Sequence, residues 1–308
     1  MAEGKRVIVT GATGLIGKET CKQLIAKGYE VVVFSRDPDS ARTKVPGAAE
    51  YVAWTPTESG PWAAKLDGAW AVISLAGASI AGKRWNEAYK QEIRDTRVLG
   101  TRGLVAAIGA AAQKPEVFVS GSAIGYYGAR DSTPLAEDAA VGDDFLAGVV
   151  RDWEAEARKA EALGVRTALI RTGVVLDAHE GALAQLKLPF QLFVGGPILP
   201  GTQWFSWIHL ADEVGIILLA LEDARLSGPI NATGPAPQTS RDFCATLGSV
   251  MGRPSWAPVP GFALKVIVGE FGETLTTGQR VIPKKAQESG YQFRYPTSEA
   301  ALRAVLQG

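Results

Sequence analysis

Val7-Ile8-Val9-Thr10 runs into Gly11-Ala12-Thr13-Gly14-Leu15-Ile16-Gly17 and then into a helical pattern. A GxxGxxG turn between a strand and a helix does the chemistry of anion binding. Gly11 permits the tight turn, Gly14 lets backbone approach a pyrophosphate, and Gly17 lets helix pack on strand. The helix start adds free N–H groups and the positive end of its dipole. The bland reading, a tight turn without a ligand, is disfavoured by both flanks. The second strand-like run ends Phe34-Ser35-Arg36. A site for NAD places a carboxylate there for the ribose hydroxyls, whereas a hydroxyl and a guanidinium suit a 2′-phosphate, which Arg grips by charge-assisted bidentate contacts. NADP(H) is therefore the expected cofactor. Asp37, one residue on, is the group that would restore NAD, and a solvated surface Arg36 is the plain alternative.

Such a turn needs a sheet to hold it. The first 175 residues alternate β-rich runs (7–10, 31–34, 51–54, 71–75, 117–120 and 167–170) with helical stretches (16–27, 97–112 and 153–163), two of them closed by Gly28 and Gly164. This alternation predicts βαβ units and a doubly wound parallel α/β sheet covered on both faces. After about residue 176 Pro and Gly become dense and the alternation lapses. The expected division is a nucleotide-binding domain over 1–175, a small C-terminal α+β lobe over 176–204 and 233–308, and a segment, 205–232, that rejoins the first domain.

Composition narrows the function classes. Of 308 residues 46% are apolar and 21% charged, as in ordinary globular chains, which excludes disordered and coiled-coil classes. Thirty-two basic against 32 acidic residues give no excess charge for nucleic acid. Cys21 and Cys244 are too scattered for a disulfide framework, and His179 and His209 lack metal-ligand spacing, so no metal is expected. The uncharged stretch 188–211 is broken by Pro189, Pro197 and Pro200, which argues against a membrane span. The start of the chain has no apolar signal region. A soluble intracellular protein is expected, in the plastid stroma if a transit peptide has been removed and otherwise in the cytoplasm.

The glycine turn, Ser35-Arg36, Leu75-Ala76-Gly77, Arg97-Val98-Leu99-Gly100-Thr101 and Ser120-Gly121-Ser122-Ala123-Ile124-Gly125-Tyr126-Tyr127-Gly128 resemble the extended short-chain dehydrogenase/reductases. More narrowly, Arg84-Trp85-Asn86, Trp153-Glu154, Gly195-Gly196-Pro197, Trp204 to His209, Gly252-Arg253-Pro254 and Gly278 to Pro283 look like the atypical subgroup of epimerase family proteins, and its plant and cyanobacterial branch is the nearest in wording. The resemblance implies a Rossmann-like NADP(H) domain with a small substrate lobe, and a homodimer. It carries cofactor contact to Gly11, Thr13, Gly14, Leu15, Ile16, Ser35, Arg36, Leu75, Ala76, Gly77, Arg97 and Val175, with Glu92 as a weaker ribose contact. Arg97 stands where the wider superfamily has Asn, and either reaches the cofactor or pairs with Glu92 or Asp95.

The superfamily's proton donor is a Tyr with Lys four residues on, which places both on one helix face. None of Tyr29, Tyr51, Tyr89, Tyr126, Tyr127, Tyr291 and Tyr295 has that lysine, and the expected place offers only Phe145/Val149 or Leu146/Val150. Two readings remain. In one, the chain is an atypical oxidoreductase or epimerase-like enzyme in which Ser122, Tyr126 and Tyr127 supply the catalytic hydroxyls, with Arg130 as an activating charge; in the other, it binds NADP(H) without chemistry and acts as a regulatory or structural protein, as in plastid division. The expected partner is a small molecule of unknown identity. Arg84 and Trp85 are candidates for the cleft wall, and Trp204 and Trp207 line a substrate pocket or fill the lobe's core. His209 and Asp212 are the remaining polar candidates, read chiefly as fixing a loop and starting the following helix.

Overall fold

The computed structural model describes residues 4–57, 60–262, 264 and 269–307. Residues 1–3, part of the start read above as free of a signal, lie outside them. Strands β1 (Arg6–Thr10), β2 (Glu30–Ser35), β3 (Glu50–Ala53), β4 (Ala71–Ser74), β5 (Val117–Ala123) and β6 (Arg166–Thr172) alternate with helices α1 (Leu15–Ala26), α2 (Pro38–Lys44), α3 (Glu87–Ala110) and α4 (Phe145–Arg158). Then come β7 (Val174–Leu176), α5 (Gly181–Gln191), β8 (Trp204–Phe205), β9 (Trp207–His209), α6 (Leu210–Glu222), β10 (Gly228–Ala232), β11 (Gln238–Thr239) and α7 (Ser240–Met251). Seven strands make one sheet in the order β10-β6-β5-β4-β1-β2-β3, and every pairing is parallel.

The expected α/β class and doubly wound sheet are present, and the physical cause is two-sided burial. Val7 and Val9 of β1 face α1 and α6 through Leu24, Ile216 and Ile217, while Ile8 faces α3 and α4 through Leu104, Ile108 and Ala157. A third apolar cluster, built on Leu183, Phe190, Trp207, Phe243, Leu247 and Leu302, holds the C-terminal part together. Because all seven strands run one way, their C-terminal ends share one edge. In register along it stand Thr10 with Phe34 and Ser74, Ser74 with Ser120, and Ser122 with Arg171.

Three boundaries differ from expectation. Helix α3 starts at Glu87 rather than at residue 97, because the Asn86 side chain accepts from Tyr89 N and caps it there. Arg97 therefore sits inside the helix and not at its start. Helix α4 starts at Phe145 rather than at 153, capped by Asp144 on Ala147 N. Strand β10 was not legible, since it opens Gly228-Pro229; a proline is tolerated there because β10 is the sheet's edge.

The glycines make a direct test of the turn. A Cβ on Gly17 would stand 2.2 Å from the Gly11 carbonyl oxygen, whereas one on Gly148, within α4, would meet nothing within 4 Å. Gly17→Ala is expected to lower the unfolding free energy by about 1–3 kcal/mol. Gly148→Ala is expected to raise it by up to about 1 kcal/mol. Urea unfolding of the two variants checks the contrast.

Candidate functional site

The turn after β1 has the shape of an anion cradle. Gly11 has φ +69°, and a Cβ there would lie 2.6 Å from the Leu75 carbonyl carbon and 2.7 Å from Ala76 N. Gly14 is exposed and meets only the Gly11 oxygen, at 3.4 Å. Glycine is thus required at 11 by conformation and at 17 by packing, while 14 is kept open. No side chain caps the first amides of α1, and its first turn holds no acid, so those donors remain available to an anion. Thr10 Oγ1 accepts from Ala76 N at 3.3 Å, which fixes Leu75 and Ala76 beside the turn.

At the end of β2 the local hydrogen bonds decide between Arg36 and Asp37. The Asp37 carboxylate accepts from Ser40 N at 3.0 Å and caps α2, with Pro38 opening that helix. Ser35 Oγ donates to Asp37 O and accepts from Asp37 N. Arg36 is exposed. Among the described residues its guanidinium has neither a hydrogen bond nor an ion pair. The acid is committed to a helix; the cation is free.

Arg97 is a second cation without an ion pair among the described residues. Its Nη1 donates to Ile93 O at 3.0 Å, its guanidinium lies 5.5 Å from the Trp153 ring, and Gly77 leaves room for it. Neither expected acid reaches it: Glu92 pairs with Lys83 at 3.0 Å and Asp95 accepts from Gln91. Burial without a counter-charge pulls its pKa down to about 10. Val175, on β7, is half-buried opposite Ile208 of β9.

The three hydroxyls proposed for catalysis have different fates. Ser122 Oγ donates to Glu154 Oε1 at 2.6 Å, and Arg171 grips the same carboxylate with Nε at 2.8 Å and Nη2 at 2.9 Å. Arg171 is 2% and Glu154 4% exposed. Arg171 Nη1 donates to Tyr127 OH at 2.9 Å, and Tyr127 OH donates to Asn231 Oδ1 at 2.7 Å. Tyr127 is fully buried, which pushes its pKa up to about 12. Ser122 and Tyr127 are therefore parts of a buried network and not open donors, a correction to the sequence reading. Tyr126 is only half-buried, with its ring 3.5 Å from the Arg171 guanidinium. Among the described residues its hydroxyl has no hydrogen-bond partner. Arg130 does not activate it; its Nη2 donates to the carbonyls of Ala140 and Val141.

The cleft-wall candidates also separate. Trp85 is 7% exposed, donates to Ile80 O, and packs against Phe145 and Phe271. The place expected for a catalytic Tyr is thus an aromatic cluster. Arg84 lies against Gly269. Trp204 is half-buried beneath the Arg280 guanidinium, 4.6 Å from its ring centre. Trp207 is fully buried in the third apolar cluster and donates to Ala236 O. His209 caps α6, its Nδ1 accepting from Ala211 N, and stacks on Tyr295 at 3.8 Å. Trp207 is thus held by core packing and His209 by its bond at the start of α6. Asp212 locks the C-terminal segment by accepting from Arg294 N and Tyr295 N.

Glu154, Arg171, Asn231 and Glu213 escaped the sequence reading. One signal was available: Arg171 within the apolar strand Thr167-Ala168-Leu169-Ile170-Arg171 demands a buried partner. Glu213 is fully buried; among the described residues it accepts only from Thr172 Oγ1, at 2.7 Å, and its Oε2 has no partner. Burial pushes its pKa up to about 8. Among the described residues there is no metal-ligating cluster, and no helix is long and apolar enough to cross a membrane.

Comparison with known proteins agrees with this geometry. The profile of the NAD dependent epimerase/dehydratase family matches residues 7–148, and that of a domain of unknown function matches residues 259–305. The chain is 42% identical over 303 residues to the chloroplastic epimerase family protein SDR39U1 homolog of Arabidopsis thaliana, covering 98% of this chain and 86% of that protein. It is 38% identical to the epimerase family protein YfhF of Bacillus subtilis, covering 97% of each. The crystal structure of human epimerase family protein SDR39U1 with NADPH superposes with a TM-score of 0.87 at 35% identity, covering 98% of this chain and 99% of that one. A UDP-glucuronic acid 4-epimerase from Bacillus cereus, TM-score 0.78 at 16% identity and 97% coverage of both chains, shares the fold.

Two outcomes follow from the buried charges. Arg171→Met strands the Glu154 carboxylate and is expected to lower stability by about 3–5 kcal/mol in urea unfolding, with Glu154→Leu in the same chain recovering most of the loss. Glu213 holds its proton more tightly folded than unfolded, where its ordinary value is 4.5. Stability is therefore fullest below that value and falls as pH rises toward about 8. Glu213→Gln should remove that part of the slope, seen by comparing unfolding free energies across the range.

Proposed function

This chain belongs to the epimerase family proteins of the extended short-chain dehydrogenase/reductases, and on that premise we propose that it binds NADP(H) and acts as an atypical oxidoreductase on a small molecule. The observation that carries the cofactor choice is the free Arg36 beside an Asp37 already spent on capping α2. A ribose diol would look for that carboxylate; a 2′-phosphate looks for the guanidinium. The open amides of Leu15 and Ile16, at the start of α1, would hold the pyrophosphate, and Arg97, without an ion pair among the described residues, would add a cation to the same cleft. When bound, the dinucleotide would give or accept the hydride. From this chain, Tyr126 is the hydroxyl proposed to give or take the proton, because Ser122 and Tyr127 are held inside. A plastid location is part of the proposal, supported by the chloroplastic relative.

The second reading, a cofactor-binding regulatory protein, is favoured by one specific feature: where the resemblance puts the superfamily's acid–base pair the chain has Phe145 with Val149, or Leu146 with Val150. Kinetics separates the two. NADPH is expected to bind more tightly than NADH, and Arg36→Ala should lose about 1.5–3 kcal/mol of NADPH affinity while leaving NADH nearly unchanged. Equal affinities in the unaltered protein would refute the cofactor assignment. In a screen of carbonyl compounds followed by NADPH absorbance, Tyr126→Phe should abolish turnover that Tyr127→Phe, if it folds, retains. No turnover with any compound class would favour the regulatory reading.

A further inference from the structure

Arg280 is a cation without a counter-charge beside the turn that carries Tyr126. Its neighbour Gln279 donates from Nε2 to Ile124 O at 2.9 Å, so this segment rests on the short 3-10 turn Ile124–Tyr127 at the C-terminal edge of the sheet. On its other side Ser206 Oγ donates to Gln279 O and accepts from Val281 N. The position is thus fixed from both sides, by the sheet edge and by the strand pair that carries Trp204.

The side chain is held less well than its backbone. Arg280 lies over the Trp204 ring, its Nη1 reaches Ser132 O at only 3.4 Å, and its Nε is buried with no acceptor. Among the described residues no carboxylate pairs with it. Gln203 Oε1, next to Trp204, is a second buried polar atom without a partner. Its amide nitrogen is already committed to the carbonyls of Ile198 and Leu275. Among the described residues, two of the five orphaned buried side-chain atoms thus belong to Arg280, which lies over the Trp204 ring, and to the residue before Trp204 in the chain. An unfilled donor inside a protein is costly, and a guanidinium braced on an aromatic ring with its Nε and Nη2 unused is the fork that one carboxylate completes.

We propose that Arg280, braced by Trp204, anchors a carboxylate of the substrate, which makes the substrate class a small carboxylate-bearing molecule with a flat or apolar remainder. This rests on the reading that the cleft handles a small molecule alongside NADP(H). A carboxylate is favoured over a phosphate because the site offers one free guanidinium. The nearby Arg130 has its Nη2 spent on two backbone carbonyls. Among the described residues Nη2 has no hydrogen bond and is not one of the buried orphans, so it is the nitrogen that a carboxylate would meet first, beside the Nε–H.

The probes are benzoate, its neutral counterpart benzamide, and phenyl phosphate, titrated into the NADP⁺-saturated protein and followed by ligand-observed NMR. Benzoate is expected to bind at least tenfold tighter than benzamide. Arg280→Gln should erase that difference and Arg280→Lys should keep part of it. Equal affinity for benzoate and benzamide in the unaltered protein overturns the proposal, as does a preference that survives Arg280→Gln. An Arg280-dependent preference for phenyl phosphate over benzoate overturns the carboxylate assignment. NADPH affinity, measured on the same samples, separates the two levels: protein that binds NADPH but shows no benzoate preference refutes the Arg280 site alone. Protein that binds no NADPH refutes the cofactor reading instead, and with it the cleft on which this site depends.

Discussion

The floor of the cleft depends on one buried ion pair, Arg171 with Glu154. Two charges withdrawn from water are expensive, and such a pair is tolerable only when the remaining donors and acceptors are filled. Here they are: both Glu154 oxygens accept from Arg171, Ser122 adds a third bond, and the last Arg171 nitrogen serves Tyr127 and the Glu137 carbonyl. The pair joins β6 to α4, and through Ser122, Tyr127 and Asn231 it also ties in β5, the turn after it, and β10. Rigidity at this edge comes at the cost of chemistry. Two of three hydroxyls that could have faced a substrate are consumed in satisfying the pair.

Cofactor attraction arises from local pairing and not from overall charge, which is zero. Acids beside the cleft are committed elsewhere: Asp37 to the start of α2, Glu92 to Lys83, Asp95 to Gln91. Arg36 and Arg97 are left without counter-charges, and the first turn of α1 has no acid to offset its dipole. A field favouring a polyanion therefore exists along a single edge of an otherwise neutral molecule. Arg280 repeats the pattern in the C-terminal part of the chain, beside an aromatic ring rather than a glycine turn.

How much of this could be read from the sequence follows from how local each feature is. The glycine turn was legible from its spacing after β1, and the six strands because each is a short β-prone run with its own punctuation. Helix starts were misplaced because α3 opens Glu87-Ala88-Tyr89-Lys90, with no apolar period, and only Asn86 marks the boundary. Ser35 and Arg36 were legible as types, but Asp37 could be set aside only once its capping bond to Ser40 was seen. Ser122 and Tyr127 were misjudged for a physical reason: their partners lie 32 and 104 residues away, at Glu154 and Asn231. Long-range satisfaction of a buried charge leaves no spacing to detect. Only an arginine inside an apolar strand announced it.

The most direct measurement is a crystal structure of the protein with NADP⁺. The account predicts the 2′-phosphate against the Arg36 guanidinium, with Ser122 still bonded to Glu154, Tyr127 still bonded to Asn231, and the Tyr126 hydroxyl nearest the nicotinamide of the three. A 2′-phosphate lying away from Arg36, or Ser122 and Tyr127 released from the buried pair to contact the nicotinamide ribose, would contradict it.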